Sequence, residues 1–148
     1  MPREITLRAM RFEDLKSVME IEERVFSNPW PRYFFEKDLE SGNTVAFVVE
    51  NDGQVVGYAL GSCIDVELHI ANIAVAEDFQ RKGLGSRMLA GMEKVAVERG
   101  CGFAYLEVRT TNVEAINMYR KKSYDILYTR KRYYLDGSDA YVMHKELK

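Results

Sequence analysis

The chain has 148 residues, 47% of them hydrophobic and 30% charged, with a formal charge of −2. These values fit one compact soluble domain and exclude a global electrostatic pull toward nucleic acid. No apolar run approaches the roughly 18 residues of a membrane span. Two cysteines, Cys63 and Cys101, without CxxC spacing, are too few for a disulfide framework or a zinc site.

The opening Met1-Pro-Arg-Glu-Ile-Thr-Leu-Arg alternates and has no apolar signal core, so a cytoplasmic protein is expected. Ile5, Leu7 and Ala9 predict a first strand. From Asp14, the spacing of Leu15, Val18, Met19, Ile21 and Val25 predicts a helix, broken at Asn28-Pro29-Trp30-Pro31. Tyr33 to Leu39 reads as a second helix. Thr44 to Val49 and Val55 to Ile64 read as strands joined by the hairpin signal Asn51-Asp52-Gly53. Leu68 to Val75 is a further strand, and Gly85 to Arg99 a long helix ended by Gly100. A strand at Phe103 to Val108, a helix at Asn112 to Lys121, and strands at Tyr124 to Arg130 and Ala140 to Leu147 complete the chain. The expected architecture is α+β: one domain over residues 1–148, with a mixed, mostly antiparallel sheet of about seven strands and helices on both faces. The crossover between Leu68–Val75 and Phe103–Val108 implies one parallel pairing.

The most informative stretch runs from Val75 to Ser86, between a strand and the long helix. Gly83 and Gly85 permit close approach of a ligand to the backbone. The first N–H groups of the helix lack partners and sit at the positive end of its dipole. Arg81 and Lys82 add charge, so the segment suits a diphosphate. It is neither a P-loop nor a dinucleotide fingerprint, because GxxxxGK[ST] and a third glycine are missing.

Gln80-Arg-Lys-Gly-Leu-Gly resembles the acetyl-CoA motif of the GNAT superfamily. So do the preceding Ile73-Ala74-Val75 and the following Leu89. Leu106-Glu107-Val108-Arg109 with Asn112, Ala115-Ile116 and Tyr119 resembles the second block of N-terminal acetyltransferases of the RimI and archaeal types. Tyr133-Tyr134 through Met143 resembles their closing hairpin. Two departures are Ala76-Glu77 where the pattern has proline, and Ser123-Tyr124 where it has Gly-Phe.

The resemblance implies an acetyl-CoA-dependent N-acetyltransferase acting on a protein N-terminus, such as that of a ribosomal protein, without a metal. Coenzyme A would be held by Ile73, Ala74 and Val75 along its pantetheine arm. Arg81, Lys82, Gly83, Leu84, Gly85 and Ser86 would hold its diphosphate, with Asn112, Ala115 and Tyr119 alongside. Glu107 is the leading general base and His69 the second candidate; which of them takes the proton stays open. His69, Ala71 and Ile73 alternate and would share one strand face. Tyr119 is the candidate acid. Phe26, Asn28, Pro29, Trp30 and Tyr33 on one loop, with Tyr133 and Tyr134 on the other, would grip the acceptor. A covalent route through Cys63 or Cys101 is disfavoured, since neither has an activating neighbour in sequence. Arg130, Lys131 and Arg132 read as a solvated charge run. Direct nucleic-acid or membrane binding is not expected, and a monomer or weak dimer is. Two alternatives remain: transfer to a small amine or to lysine, and a non-catalytic acyl-CoA-binding module.

Overall fold

The computed structural model describes residues 4–147; residues 1–3 and 148, at the ends of the expected domain, lie outside them. In chain order the elements are β1 (Ile5–Ala9), α1 (Leu15–Val25), α2 (Arg32–Glu40), β2 (Thr44–Asn51), β3 (Gln54–Ile64), β4 (Glu67–Val75), α3 (Leu84–Glu98), β5 (Phe103–Arg109), α4 (Val113–Lys121), β6 (Asp125–Arg130) and β7 (Ala140–Glu146). The seven strands form one sheet in the order β1-β2-β3-β4-β5-β7-β6. Every pairing is antiparallel except that of β4 with β5, where α3 supplies the crossover.

Helices cover both faces, which is why β3 is apolar almost without alternation. On one face Leu68, Ile70, Ala104 and Leu106 pack with Met88, Leu89 and Met92 of α3 and with Ile116 and Tyr119 of α4. On the other, Val48, Tyr58, Leu60 and Ala74 pack with Leu15, Val18 and Ile21 of α1 and Phe35 of α2.

Two irregularities in β4 position everything that follows. The first is a bulge. Leu60 pairs with Asn72 but the next residue, Gly61, pairs with Ile70, leaving Ala71 unopposed. The extra residue shifts the alternation by one. Leu68 and Ile70 face α3 before it, and Ile73 and Val75 take that face after it, while Ala74 turns toward α1. His69 and Ile73 therefore lie on opposite faces, contrary to the shared face that unbroken alternation predicts. The second irregularity is the early end of the β4–β5 pairing. It runs only from Glu67–Phe103 to Ile70–Leu106, after which the two strands part.

The bulge needs a glycine opposite it. A Cβ on Gly61 would meet the His69 carbonyl oxygen at 2.6 Å and Met92 Cε at 2.7 Å. Gly61→Ala is expected to destabilise the fold by about 1–3 kcal/mol through overpacking against backbone. The check is a fall in the urea midpoint of unfolding.

Candidate active site

The parting of β4 from β5 opens a slot through the sheet, bordered by an unpaired strand edge. The Ala76 N–H donates to Val56 O on β3 at 2.8 Å. By the period of two, the Ala74 groups also point to β3, and the N–H and C=O of Ile73 and Val75 point into the slot. The Val75 carbonyl is taken by the Gln80 side chain, whose Nε2 donates to it at 2.8 Å. The Ile73 N–H and C=O and the Val75 N–H thus form a free edge that an extended ligand can join as an added strand.

At the end of that edge the chain turns into α3. Gly83 is its N-cap in the left-handed region (φ 79°) and offers no side-chain cap. The first helical bond is Arg87 N–H to Gly83 O at 3.1 Å, so the N–H groups of Leu84, Gly85 and Ser86 have no acceptor one turn back. Arg81 also adopts positive φ (63°), which folds the loop over the helix start. The arrangement fits a diphosphate: amide donors and a helix dipole, with the exposed Arg81 and Lys82 in the same loop, where Arg81 lies 3.6 Å from Glu114 and Lys82 over the Phe79 ring. Asn112 caps α4, its Oδ1 accepting the Ala115 N–H at 3.1 Å. Its amide NH₂ is left over for a ligand.

Across the slot, His69 Nε2 lies 2.8 Å from Glu107 Oε1. The two residues that compete in sequence for the role of base are therefore one hydrogen-bonded pair. Glu107 does not pair with Arg109, two residues along the same strand. Arg109 instead bonds Asp136 at 2.9 Å and lays its guanidinium over the Tyr134 ring at 4.0 Å. The His69 ring stacks on Tyr105 with centroids 4.7 Å apart. Burial and the charge of Glu107 raise the phenol pKa values of Tyr105 and Tyr133. Burial raises Tyr134 to about 12, partly opposed by Arg109.

Tyr119 comes from the opposite face of the sheet. It is buried among the α3 and α4 side chains and packs edge-on against Tyr124 at 5.7 Å. Burial, then Tyr134, pushes its phenol pKa well above the usual tyrosine range. A proton on each of these phenols is therefore secure at neutral pH, and each is a hydrogen-bond donor.

Two loops flank the slot. Between α1 and α2, Phe26 and Trp30 are half-buried against the α1 core while Asn28, Pro29 and Tyr33 are exposed. Between β6 and β7, Tyr133 meets Tyr134 edge-on at 5.1 Å. The turn behind them is fixed by Asp136. It accepts from the Ser138 N–H and hydroxyl and from Arg109, and these hold its carboxyl down at about 2. Arg130, Lys131 and Arg132 are all exposed, as a solvated charge run is. Arg130 lies over the Tyr133 ring at 5.6 Å, and Lys131 sits 3.8 Å from Asp139. Asp136 and Tyr105 went unread as site residues in the sequence. A carboxylate two residues before Ser138 was the available sign of the turn, whereas nothing local marks Tyr105. Among the described residues, no group of three or more His, Cys, Asp or Glu could hold a metal ion. No helix among them is long and apolar enough to cross a membrane.

Residues 15–124 match the model of the acetyltransferase (GNAT) family. An N-alpha-acetyltransferase of Saccharolobus solfataricus is 33% identical over 98% of this chain and 95% of its own. The N-alpha-acetyltransferase RimI of Mycobacterium tuberculosis is 34% identical over 96% and 92%. The crystal structure of the ribosomal-protein-S18-alanine N-acetyltransferase from Escherichia coli superposes with a TM-score of 0.90. It is 28% identical, over 98% of this chain and 95% of that one.

The raised tyrosines set an alkaline limit. Unfolded tyrosine ionises near pH 10, whereas the folded chain keeps the Tyr134 proton up to about 12 and that of Tyr119 longer. In that window the folded state binds more protons than the unfolded one, so stability falls as pH rises. An ultraviolet titration is expected to show late-ionising tyrosines that release their protons only with unfolding. Uniform ionisation near pH 10 in a folded chain would contradict the burial.

Proposed function

The chain belongs to the acetyltransferase (GNAT) family, and we propose that it moves the acetyl group of acetyl-CoA onto the free α-amine that begins another polypeptide. The observation that carries this reading is the His69–Glu107 pair, 2.8 Å apart and walled by Tyr105, Tyr133 and Tyr134, beside a free strand edge that leads to an anion cradle. The names of its full-length relatives support the choice of acceptor.

Acetyl-CoA supplies an activated thioester, and the Ile73–Val75 edge with the Leu84–Ser86 amides would hold it. The amine must be neutral to react. An α-amine, with a pKa near 8, is roughly a quarter neutral at pH 7.5, against about 0.1% for lysine. A modest base therefore suffices. Glu107 accepts the ammonium proton, directly or through a water. His69, hydrogen-bonded to it, holds the carboxylate in place. The acceptor backbone passes between Trp30 on one loop and Tyr133 and Tyr134 on the other. A hollow of about 320 Å³ beside His69, lined by Ser62, Asp65, Glu67 and Tyr105 among others, gives room for following residues.

Tyr119 has a narrower part than full proton donation. Its phenol pKa is raised above 10, whereas a thiol's is about 8.5. Net transfer from this phenol to a thiolate is uphill. Tyr119 donates a hydrogen bond to the departing sulfur, and the proton that the sulfur finally keeps comes from the amine.

The test is thioester consumption with short peptides, free or blocked at the N-terminus. Free peptides are expected to turn over and blocked ones, even with lysine, are not. Turnover that survives blocking would overturn the choice of acceptor. Glu107→Gln is expected to lower kcat by about 10²–10⁴-fold, the range for removing a general base. An unchanged kcat would remove Glu107 from the mechanism.

A further inference from the structure

The α1 helix carries a polar side chain where its periodicity calls for an apolar one. Leu15, Val18, Ile21 and Glu22 are the buried positions of the helix, and Glu22 is only 1% exposed. A carboxylate there is costly to bury, and burial raises its pKa. No ammonium or guanidinium among the described residues lies within 4.0 Å of it to compensate. Three hydrogen-bond donors do so instead, each from a different part of the fold. The Tyr58 hydroxyl of β3 and Asn72 Nδ2 of β4 donate to Oε1, the latter at 2.8 Å. The Trp30 backbone N–H donates to Oε2 at 2.8 Å.

These attachment points are not arbitrary. Trp30 lies between Pro29 and Pro31, which have no N–H. Its amide is therefore the one N–H that the Pro29-Trp30-Pro31 segment can donate. Asn72 directly follows the bulged Ala71 and directly precedes Ile73, the first residue of the free edge. One carboxylate thus joins the loop on the acceptor side to the strand that borders the slot. A leucine at position 22 would fill the same core without desolvation. What it would not do is fix the distance between Trp30 and Asn72.

We propose that Glu22 is a positioning residue for the acceptor: its carboxylate sets the width of the acceptor groove by tying the Trp30 turn to β4 at Asn72. This rests on the N-terminal acetyltransferase reading above. Glu22 touches neither substrate and acts through the two groups that it holds.

The experiment compares wild type with Glu22→Gln, Glu22→Leu and Asn72→Ala. The KM for an N-terminally free peptide, the KM for acetyl-CoA, kcat and the melting temperature are measured for each. Trp30 is the single tryptophan of the chain, so acrylamide quenching of its fluorescence reports the turn without any turnover. With Glu22→Leu, the peptide KM is expected to rise about ten- to a hundredfold, the range of a lost hydrogen bond to a charged group. The acetyl-CoA KM and kcat stay within about threefold, and Trp30 becomes more accessible to quencher. Glu22→Gln keeps the volume and one acceptor, so it gives a smaller change of the same pattern. Asn72→Ala raises the peptide KM while leaving Trp30 quenching close to wild type. Should Glu22→Leu fail to fold, Glu22→Gln and Asn72→Ala carry the test. A peptide KM that does not move, both KM values rising together with a loss of kcat, or unaltered Trp30 quenching in both Glu22 variants would overturn the proposal. Wild type that consumes no acetyl-CoA with any free-amine peptide would instead sink the functional reading. Trp30 quenching would then still decide whether Glu22 holds the turn.

Discussion

Backbone hydrogen bonding between β4 and β5 stops at the Ile70–Leu106 pair, and the rest of the site depends on that early end. An unpaired strand edge inside a sheet is normally a liability, since its donors and acceptors seek another chain. Here the edge is short and faces a slot only a few residues long. Where the strands part, side chains on the two faces of the sheet are no longer separated by paired backbone. Glu107 and His69 pair on one face, and Tyr119 is buried on the other, in the core around α3. A continuous sheet would keep these side chains on opposite sides of a wall of backbone.

Much of this was legible in the sequence, for physical reasons that can be named. Strands and helices were readable because each buries one face or both, and the period of apolar residues reports which. The turn into α3 was readable because its signals are local: Gln80 to Ser86 supplies the glycine and the helix start within one turn of chain. The bulge was not readable. Ala71 and Asn72 continue an acceptable strand pattern, and nothing in their composition says that one residue has no partner. That single unmarked residue put His69 on the face opposite Ile73. Long-range polar pairs were equally hidden. Arg109 and Asp136 are far apart in sequence, and Glu22 sits in a run of charged residues whose helical phase alone hints that it is buried.

Both loops that flank the slot are held by side chains of the body of the fold. Arg109, on β5, clamps the turn behind Tyr133 and Tyr134 through Asp136 and stacks on the Tyr134 ring. Glu22, on α1, holds the Trp30 amide. In each case a charged group near the slot is spent on fixing a wall, which leaves Glu107 and His69 to pair with each other. Rigid walls reduce the entropy lost when a flexible chain end is ordered between them. The same burial that fixes the tyrosines keeps them protonated, so the groove presents hydrogen-bond donors around one carboxylate.

The most direct test of this account is amide hydrogen exchange, residue by residue, as coenzyme A is titrated into the protein. If the parted strands receive the ligand, exchange slows at Ile73 and Val75 on the free edge and at Leu84, Gly85 and Ser86 at the start of α3. Neighbours whose amides already bond to β3, such as Ala74 and Ala76, change little. Slowing confined to another surface, with Ile73, Val75 and the α3 amides unaffected, would contradict the central role given to the early end of the β4–β5 pairing.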